Sequence, residues 1–296
     1  MIYSFRNGRY MIAAVIPNLT REKAAPITRE LAAGLREAGF ETLMSEANRA
    51  AFGDIPGCRF VLESELIPSS DVVFPVGGDG SVIRAAKQAA VNGKKILGVN
   101  AGNLAYLCGI DSEDIPLLGK IAAGEYTIQK RMLLEASLFE DGVKKSTELC
   151  VNDIVFCRGQ KIGLVDLRVK ANEKPIADYI ADGVIFATPT GSTAYSMSAG
   201  GPIVEPTLEA VLLTAICPHS LAFRPYIFGA DTVFTVSGKQ KTEGTDICYS
   251  CDGERTTPLE INCSMEIKKS DISAMFISVK SDNFIDVLNK KTLRNK

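Results

Sequence analysis

The sequence has one histidine and no long apolar run, and each shortage excludes something. With His219 as the only imidazole, a multi-histidine metal centre is ruled out and a Ser-His-Asp hydrolase nearly so. His219 sits in a Pro-His-Ser turn and reads as structural. No apolar stretch approaches the roughly 20 residues that span a bilayer, so no membrane helix is expected. Residues 1–10 carry Arg6, Asn7 and Arg9 and lack an apolar core before a small-residue cleavage site. No secretory leader is therefore expected, and a cytoplasmic location is. Excess charge of one sign is also missing. The 33 basic and 35 acidic side chains are mixed along the chain, and the net charge is −2. Without a basic stripe, a nucleic-acid partner is not expected. The eight cysteines are scattered, and only Cys248 and Cys251 form a C-x-x-C. No second pair stands at zinc-site spacing, and strand positions three apart face opposite ways. Free, mostly buried thiols are the expectation.

What is present is ordinary in amount and organised in sequence. Hydrophobic residues make up 46% of 296 positions and charged residues 23%, enough for two globular domains. The first 127 residues alternate buried-strand and helix patterns. Strands are expected at Met11–Pro17, Asp71–Val76 and Ile96–Asn100, with helices at Thr28–Ala38 and Ser81–Val91. That rhythm gives an α/β domain with a parallel sheet. Over 128–280 the pattern becomes strand after strand. The runs are Leu133–Phe139, Leu149–Cys157, Gly163–Lys170, Gly183–Thr188, Thr232–Ser237, Asp246–Cys251 and Ile272–Val279. An all-β, sandwich-like domain follows from that spacing. One helix-compatible segment, Thr193–Ala199, interrupts it. The stretch 281–296 is expected to be helical or frayed, its Lys290, Lys291, Arg294 and Lys296 forming a solvated end.

Two segments carry chemistry. Gly77-Gly78-Asp79-Gly80 follows a buried strand and precedes a helix. Glycines there let backbone N–H groups approach a ligand closely, and the helix N-terminus adds the positive end of its dipole. The carboxylate of Asp79 would then stand beside phosphates, able to hold Mg²⁺ or to take a proton from an attacking hydroxyl. As an alternative, Asp79 is a helix N-cap. No Gly-Lys-Ser/Thr follows, so this is not a P-loop. Ile83 stands where the dinucleotide fingerprint needs its third glycine. The second segment, Asp182 to Glu205, reads DGVIFATPTGSTAYSMSAGGPIVE. Its hydroxyls at Thr188, Thr190, Ser192, Thr193, Tyr195, Ser196 and Ser198 are many to satisfy without a ligand, which points to a loop packed on a flat ring.

Together, GGDG, Asn152-Asp153 and ATPTGSTAYSMSAGGPIVEP resemble the NAD kinase family. Gly98-Val99-Asn100 with Gly102-Asn103-Leu104, and Pro218-His219-Ser220-Leu221 with Arg224-Pro225, add to the likeness. The resemblance covers about Asp71 to Gly253, and the Thr/Ser/Gly segment is its specific part. It implies transfer of the γ-phosphoryl group of ATP to the 2′-hydroxyl of the adenosine ribose of NAD, giving NADP. Asp79 would be the general base, with Gly77, Gly78, Gly80 and Arg84 around the phosphates. Asn103 and Tyr106 would lie by the dinucleotide, Tyr106 beside adenine. Asn152 and Asp153 would hold the adenosine ribose and adenine, and Asp182 the nicotinamide end. Thr193, Ala194, Tyr195, Ser196 and Ser198 would wrap NAD, and Glu254 would complete the set. The resemblance further implies a tail, 281–296, packed back on the first domain, Mg²⁺ or another divalent ion travelling with ATP, no metal ligand set of the protein's own, and a homodimer or homotetramer. This sequence departs from the family at Asp153, where Glu is usual, at 105–109 (Ala-Tyr-Leu-Cys-Gly for Gly-Phe-Leu-Thr-Asp), and at Glu254, where Gln is frequent. The alternatives are a lipid or sugar kinase sharing only GGDG and a non-catalytic dinucleotide-binding protein.

Overall fold

A computed structural model describes residues 10–102, 105–159, 163–239, 246–281 and 284–292. It divides into two compact units: 1–130 with 274–296, and 131–273. The chain passes from one to the other within two long strands, Thr127–Glu140 and Cys263–Ser278.

The first unit is built on a parallel sheet. Its strands run in the order Cys58–Val61, Phe40–Ser45, Met11–Pro17, Val72–Gly77 and Lys95–Ile96. Met275 and Phe276 pair beyond Lys95–Ile96, also parallel. The end of Val72–Gly77 pairs separately with Gly98–Asn100, which pairs with Cys108–Ile110. The apolar run around Leu97 is thus two short strands where one is expected. Val72–Gly77 is buried along its whole length, as a central strand of a parallel sheet must be. Helices Ala24–Glu37 and Asp79–Val91 both start earlier than their apolar periodicity predicts. Leu31 and Leu35 of the first are fully buried on the core with Phe74. A further helix, Phe284–Thr292, ends the described chain.

The second unit is a sandwich of antiparallel strands. One sheet runs Tyr226–Gly229, Ala210–Ile216, Gly183–Ala187, Asp153–Arg158, Ile247–Cys251 and Thr257–Pro258. Facing strands include Lys174–Ala181, Val165–Ala171, Phe234–Gly238 and the hairpin of Thr127–Glu140 with Val143–Cys150. Between them pack Phe156, Phe186 and Phe234, with ring centroids 6.1 Å and 5.1 Å apart in succession. Val155, Ile185 and Leu212 on the sheet's other face lie under Val204, so this sheet is buried on both sides. The expected strand Leu149–Cys157 is broken at Val151-Asn152 into two. All eight cysteines are free; Cys150, Cys248, Cys251 and Cys263 are buried, whereas Cys217 is exposed. Of the described residues, no helix is long and apolar enough to cross a membrane.

Candidate active site

In the first unit, the ends of three parallel strands meet at one sheet edge. The N–H of Asn18 bonds the carbonyl of Val76 at 2.9 Å, and that of Ala101 the carbonyl of Gly77 at 2.9 Å. The Gly77–Gly80 turn lies between them, where an α/β sheet binds its ligands. Gly77 is forced by packing: an added Cβ would lie 2.4 Å from Ser81 Oγ and 3.2 Å from Asn18 Cβ. Gly78 and Gly80 are different, because a Cβ there would meet nothing within 4 Å. Their open faces leave room for a ligand against the backbone. Asn18 Nδ2 donates to Ser81 Oγ at 2.9 Å and tethers the first helical turn to the neighbouring loop.

Asp79 is not the N-cap. Gly78 holds that position, and Asp79 is the first helical residue. Its carboxylate reaches across to the backbone after Gly98–Asn100. Oδ2 accepts the N–H of Tyr106 and Oδ1 the N–H of Leu107, each at 2.8 Å. Each oxygen keeps accepting capacity for a further donor or a cation. Tyr106 is half-buried and Arg84 exposed. Asn103 lies outside the described residues.

In the second unit, Asn152 lies in the turn between Val143–Cys150 and Asp153–Arg158, and Asp153 opens the second of these strands. Asp153 is buried, 5% exposed, and its carboxyl is pushed up to about 7, first by burial and then by the charge of Asp252. Asn152 Oδ1 is buried with no hydrogen-bond partner among the described residues. The loop from Thr188 follows Gly183–Ala187 and folds as a short 3-10 turn, Thr190–Thr193, then a single helical turn, Tyr195–Ser198.

Several of the loop's hydroxyls have partners within the protein. Thr188 Oγ1 donates to the Val151 carbonyl at 2.6 Å. Ser192 Oγ has the carbonyls of Pro189 and Val204, at 2.7 Å and 3.1 Å, for its one proton and accepts the Val204 N–H at 3.0 Å. Thr193 Oγ1 donates to the Thr190 carbonyl at 3.4 Å, and Ser196 Oγ shares a hydrogen bond with Thr214 Oγ1 at 3.1 Å. Thr190 Oγ1 accepts from Arg131, whose guanidinium is pushed down to about 10 by burial. These hydroxyls hold the shape of the loop through bonds within the protein. Tyr195 and Ser198 are exposed, Thr193 and Ala194 half-buried, and Ser196 fully buried. Asp182 pairs with Arg158, Oδ1 to Nε at 3.5 Å. Glu254 is exposed in the turn after Ile247–Cys251. His219 is exposed, its N–H bonded to the Ile180 carbonyl at 2.9 Å. From the sequence, Thr188 stands only as one hydroxyl of the loop and Asp252 has no place beside Asn152-Asp153, whose backbone it holds. The Asp-Gly step at 252–253 is the one sequence signal for a tight turn there, and both residues adopt positive φ.

Known proteins bear on both units. Residues 13–126 match the ATP-NAD kinase N-terminal domain, and 151–279 the ATP-NAD kinase C-terminal domain. The chain is 37% identical over 279 residues to the NAD kinase of Caldanaerobacter subterraneus subsp. tengcongensis, covering 94% of this chain and 97% of that one. It is 36% identical over 285 residues to the NAD kinase of Acidithiobacillus ferrooxidans, covering 96% and 93%. In fold it is similar to yeast NADH kinase solved with NADH, with a TM-score of 0.88 at 22% identity over 98% of this chain and 89% of that one. It is also similar to the NAD kinase of Archaeoglobus fulgidus solved with ATP, with a TM-score of 0.72 at 23% identity over 94% and 96%.

Proposed function

The chain belongs to the NAD kinase family, and on that premise we propose that it phosphorylates the 2′-hydroxyl of the adenosine ribose of NAD with ATP. The observation that carries the mechanism is the pair of open glycine faces at Gly78 and Gly80 beside the Asp79 carboxylate, at the end of a buried parallel strand. Backbone N–H groups of that turn and the start of helix Asp79–Val91 favour phosphate oxygens. Asp79 takes the proton of the 2′-hydroxyl as its oxygen bonds the γ-phosphorus. The bond from that phosphorus to the β-phosphate oxygen breaks and ADP leaves. Chemistry of this kind is mostly positioning and charge neutralisation.

The donor set fits a divalent ion that travels with the nucleotide. Among the described residues no cluster of three His, Cys, Asp or Glu side chains is placed to cage a metal. One carboxylate, Asp79, stands at the turn, which suits a magnesium ion that keeps its waters and phosphate oxygens. When bound, it supplies charge neutralisation of the phosphates.

The second unit binds the dinucleotide. Asn152 and Asp153 hold the adenosine ribose and adenine, and Thr193 through Ser198 present backbone and exposed side chains to NAD. The buried, unpartnered Asn152 Oδ1 supports this, since a ligand donor offsets a cost of about 1–3 kcal/mol. The working assembly is a homodimer or homotetramer in the cytoplasm. Sedimentation at assay concentration tests the assembly, and a fully active monomer refutes it. Purified protein with NAD, ATP and Mg²⁺ tests the activity: NADP, read by an NADP-specific dehydrogenase, is the expected product, and none forming refutes the assignment.

A further inference from the structure

The Val151-Asn152-Asp153 turn is held in an unusual way. The Asp252 carboxylate accepts all three of its N–H groups: Oδ2 from Val151 at 3.0 Å, Oδ1 from Asn152 at 2.7 Å and from Asp153 at 3.2 Å. The N–H of Asp252 returns a bond to the Asp153 carbonyl at 2.9 Å. From the other side, Thr188 Oγ1 donates to the Val151 carbonyl at 2.6 Å and the Thr188 N–H to the Asn152 carbonyl at 2.8 Å. Every backbone donor and acceptor of the three residues is therefore occupied, by two residues distant in sequence.

The arrangement has a backbone cost. Asp252 sits at φ 51°, in the left-handed region that non-glycine residues rarely adopt. The Thr188 hydroxyl also accepts the N–H of Gly191 at 3.0 Å. Gly191 passes so close that a Cβ would lie 2.1 Å from the Asn152 carbonyl oxygen. Convergent N–H groups of this kind form a cradle for an anion. Here the chain fills the cradle with its own carboxylate and sets Asp153 beside it.

We propose that Asp252 and Thr188 are positioning residues for the reaction, clamping the Asn152-Asp153 pair in the orientation that receives NAD. This rests on the dinucleotide reading above. The carboxylate orients three N–H groups at once, which a neutral amide cannot do. The threonine hydroxyl ties the turn to the start of the loop that carries Thr193–Ser198. A clamp of this sort acts on NAD and leaves ATP untouched.

The test uses the full chain and steady-state kinetics with NAD and ATP varied separately, beside thermal unfolding. Asp252→Asn keeps the shape but puts an amide N–H₂ against backbone donors. Thr188→Val keeps the shape and loses the hydroxyl, and Thr188→Ser restores it. In Asp252→Asn the NAD KM should rise at least about tenfold, the loss of roughly one hydrogen bond to a charged group, and in Thr188→Val about fivefold, the loss of one neutral hydrogen bond. The ATP KM should stay within about threefold, and Thr188→Ser should recover most of the NAD affinity. An NAD KM within twofold of wild type in both variants would overturn the proposal. So would NAD and ATP KM rising together, or loss of folding in both, since either result makes the residues merely structural. A wild-type chain that forms no NADP refutes the underlying reading instead, and this is seen before any variant is compared.

Discussion

Raising the pH through neutrality should loosen the fold and tighten its grip on NAD, both through Asp153. That carboxyl is buried beside Asp252 and is pushed from an ordinary 3.8 up to about 7. The difference is about 3 pH units, which at 1.36 kcal/mol each favours the protonated form of the folded protein by on the order of 4 kcal/mol. The unfolded chain releases this proton near pH 4, the folded one near 7. Between those values the folded state binds more protons, so stability falls as pH rises and the loss is complete above about 7. Asp153→Asn carries no ionisable group and should lack this slope. At pH 8 it should be more stable than wild type. Binding runs the other way. An ionised Asp153 accepts hydrogen bonds from ribose hydroxyls or the adenine amine, and bonds to a charged group contribute about 1.5–3 kcal/mol. The NAD Kd of wild type should therefore fall about tenfold or more between pH 6 and pH 8, while that of Asp153→Asn stays flat. Titration calorimetry at pH 6, 7 and 8, with urea unfolding in the same buffers, reads both quantities. A flat NAD affinity in wild type, or an equal slope in the variant, would refute the reasoning.

Three substitutions test the neighbouring geometry. Gly80→Ala places a methyl in open space at the start of a helix, so melting temperature should hold or rise with a gain of up to about 1 kcal/mol, while turnover falls because the methyl occupies the phosphate approach. Unchanged turnover in a scanning assay would remove Gly80 from the phosphate site. Gly191→Ala drives a Cβ into the Asn152 backbone and should cost about 1–3 kcal/mol by urea unfolding, the scale of core overpacking, and weaken NAD binding. Ser196→Ala removes a hydroxyl bonded to Thr214 and should cost about 1 kcal/mol of stability with the NAD KM within threefold. A tenfold rise would show that Ser196 touches the dinucleotide after all.

How far the sequence reaches can be seen at individual residues. The Gly77–Gly80 turn is legible because glycines follow an apolar run and precede a helical pattern, three local signals that agree. Phe40–Ser45 and Ala210–Ile216 are not. FETLMS is short and mixed, and AVLLTAI suits a helix as well as a strand until Gly183–Ala187 pairs with it. The break at Val151-Asn152 is invisible because the carboxylate that makes it, Asp252, lies about a hundred residues away. The Asp79 anchor on Tyr106 and Leu107, 27 and 28 residues away, is hidden for the same kind of reason. Hydroxyl-rich composition marked the loop but not its use. Ser192 and Ser196 face inward and hold its shape, a fact set by tertiary contacts rather than by residue type.

Asp79→Asn tests the central claim, that a single carboxylate at the Gly77–Gly80 turn moves the proton in phosphoryl transfer. The substitution keeps the shape, removes the base, and leaves an acceptor for one of the two N–H groups the carboxylate now holds. A general base contributes about 10²–10⁴-fold in rate, so turnover of NAD to NADP should fall at least about a hundredfold. NAD affinity should stay within a few-fold, and the loss of one charge-assisted hydrogen bond should lower stability by about 1.5–3 kcal/mol without unfolding the protein. A folded Asp79→Asn enzyme that keeps near-normal turnover would contradict the account.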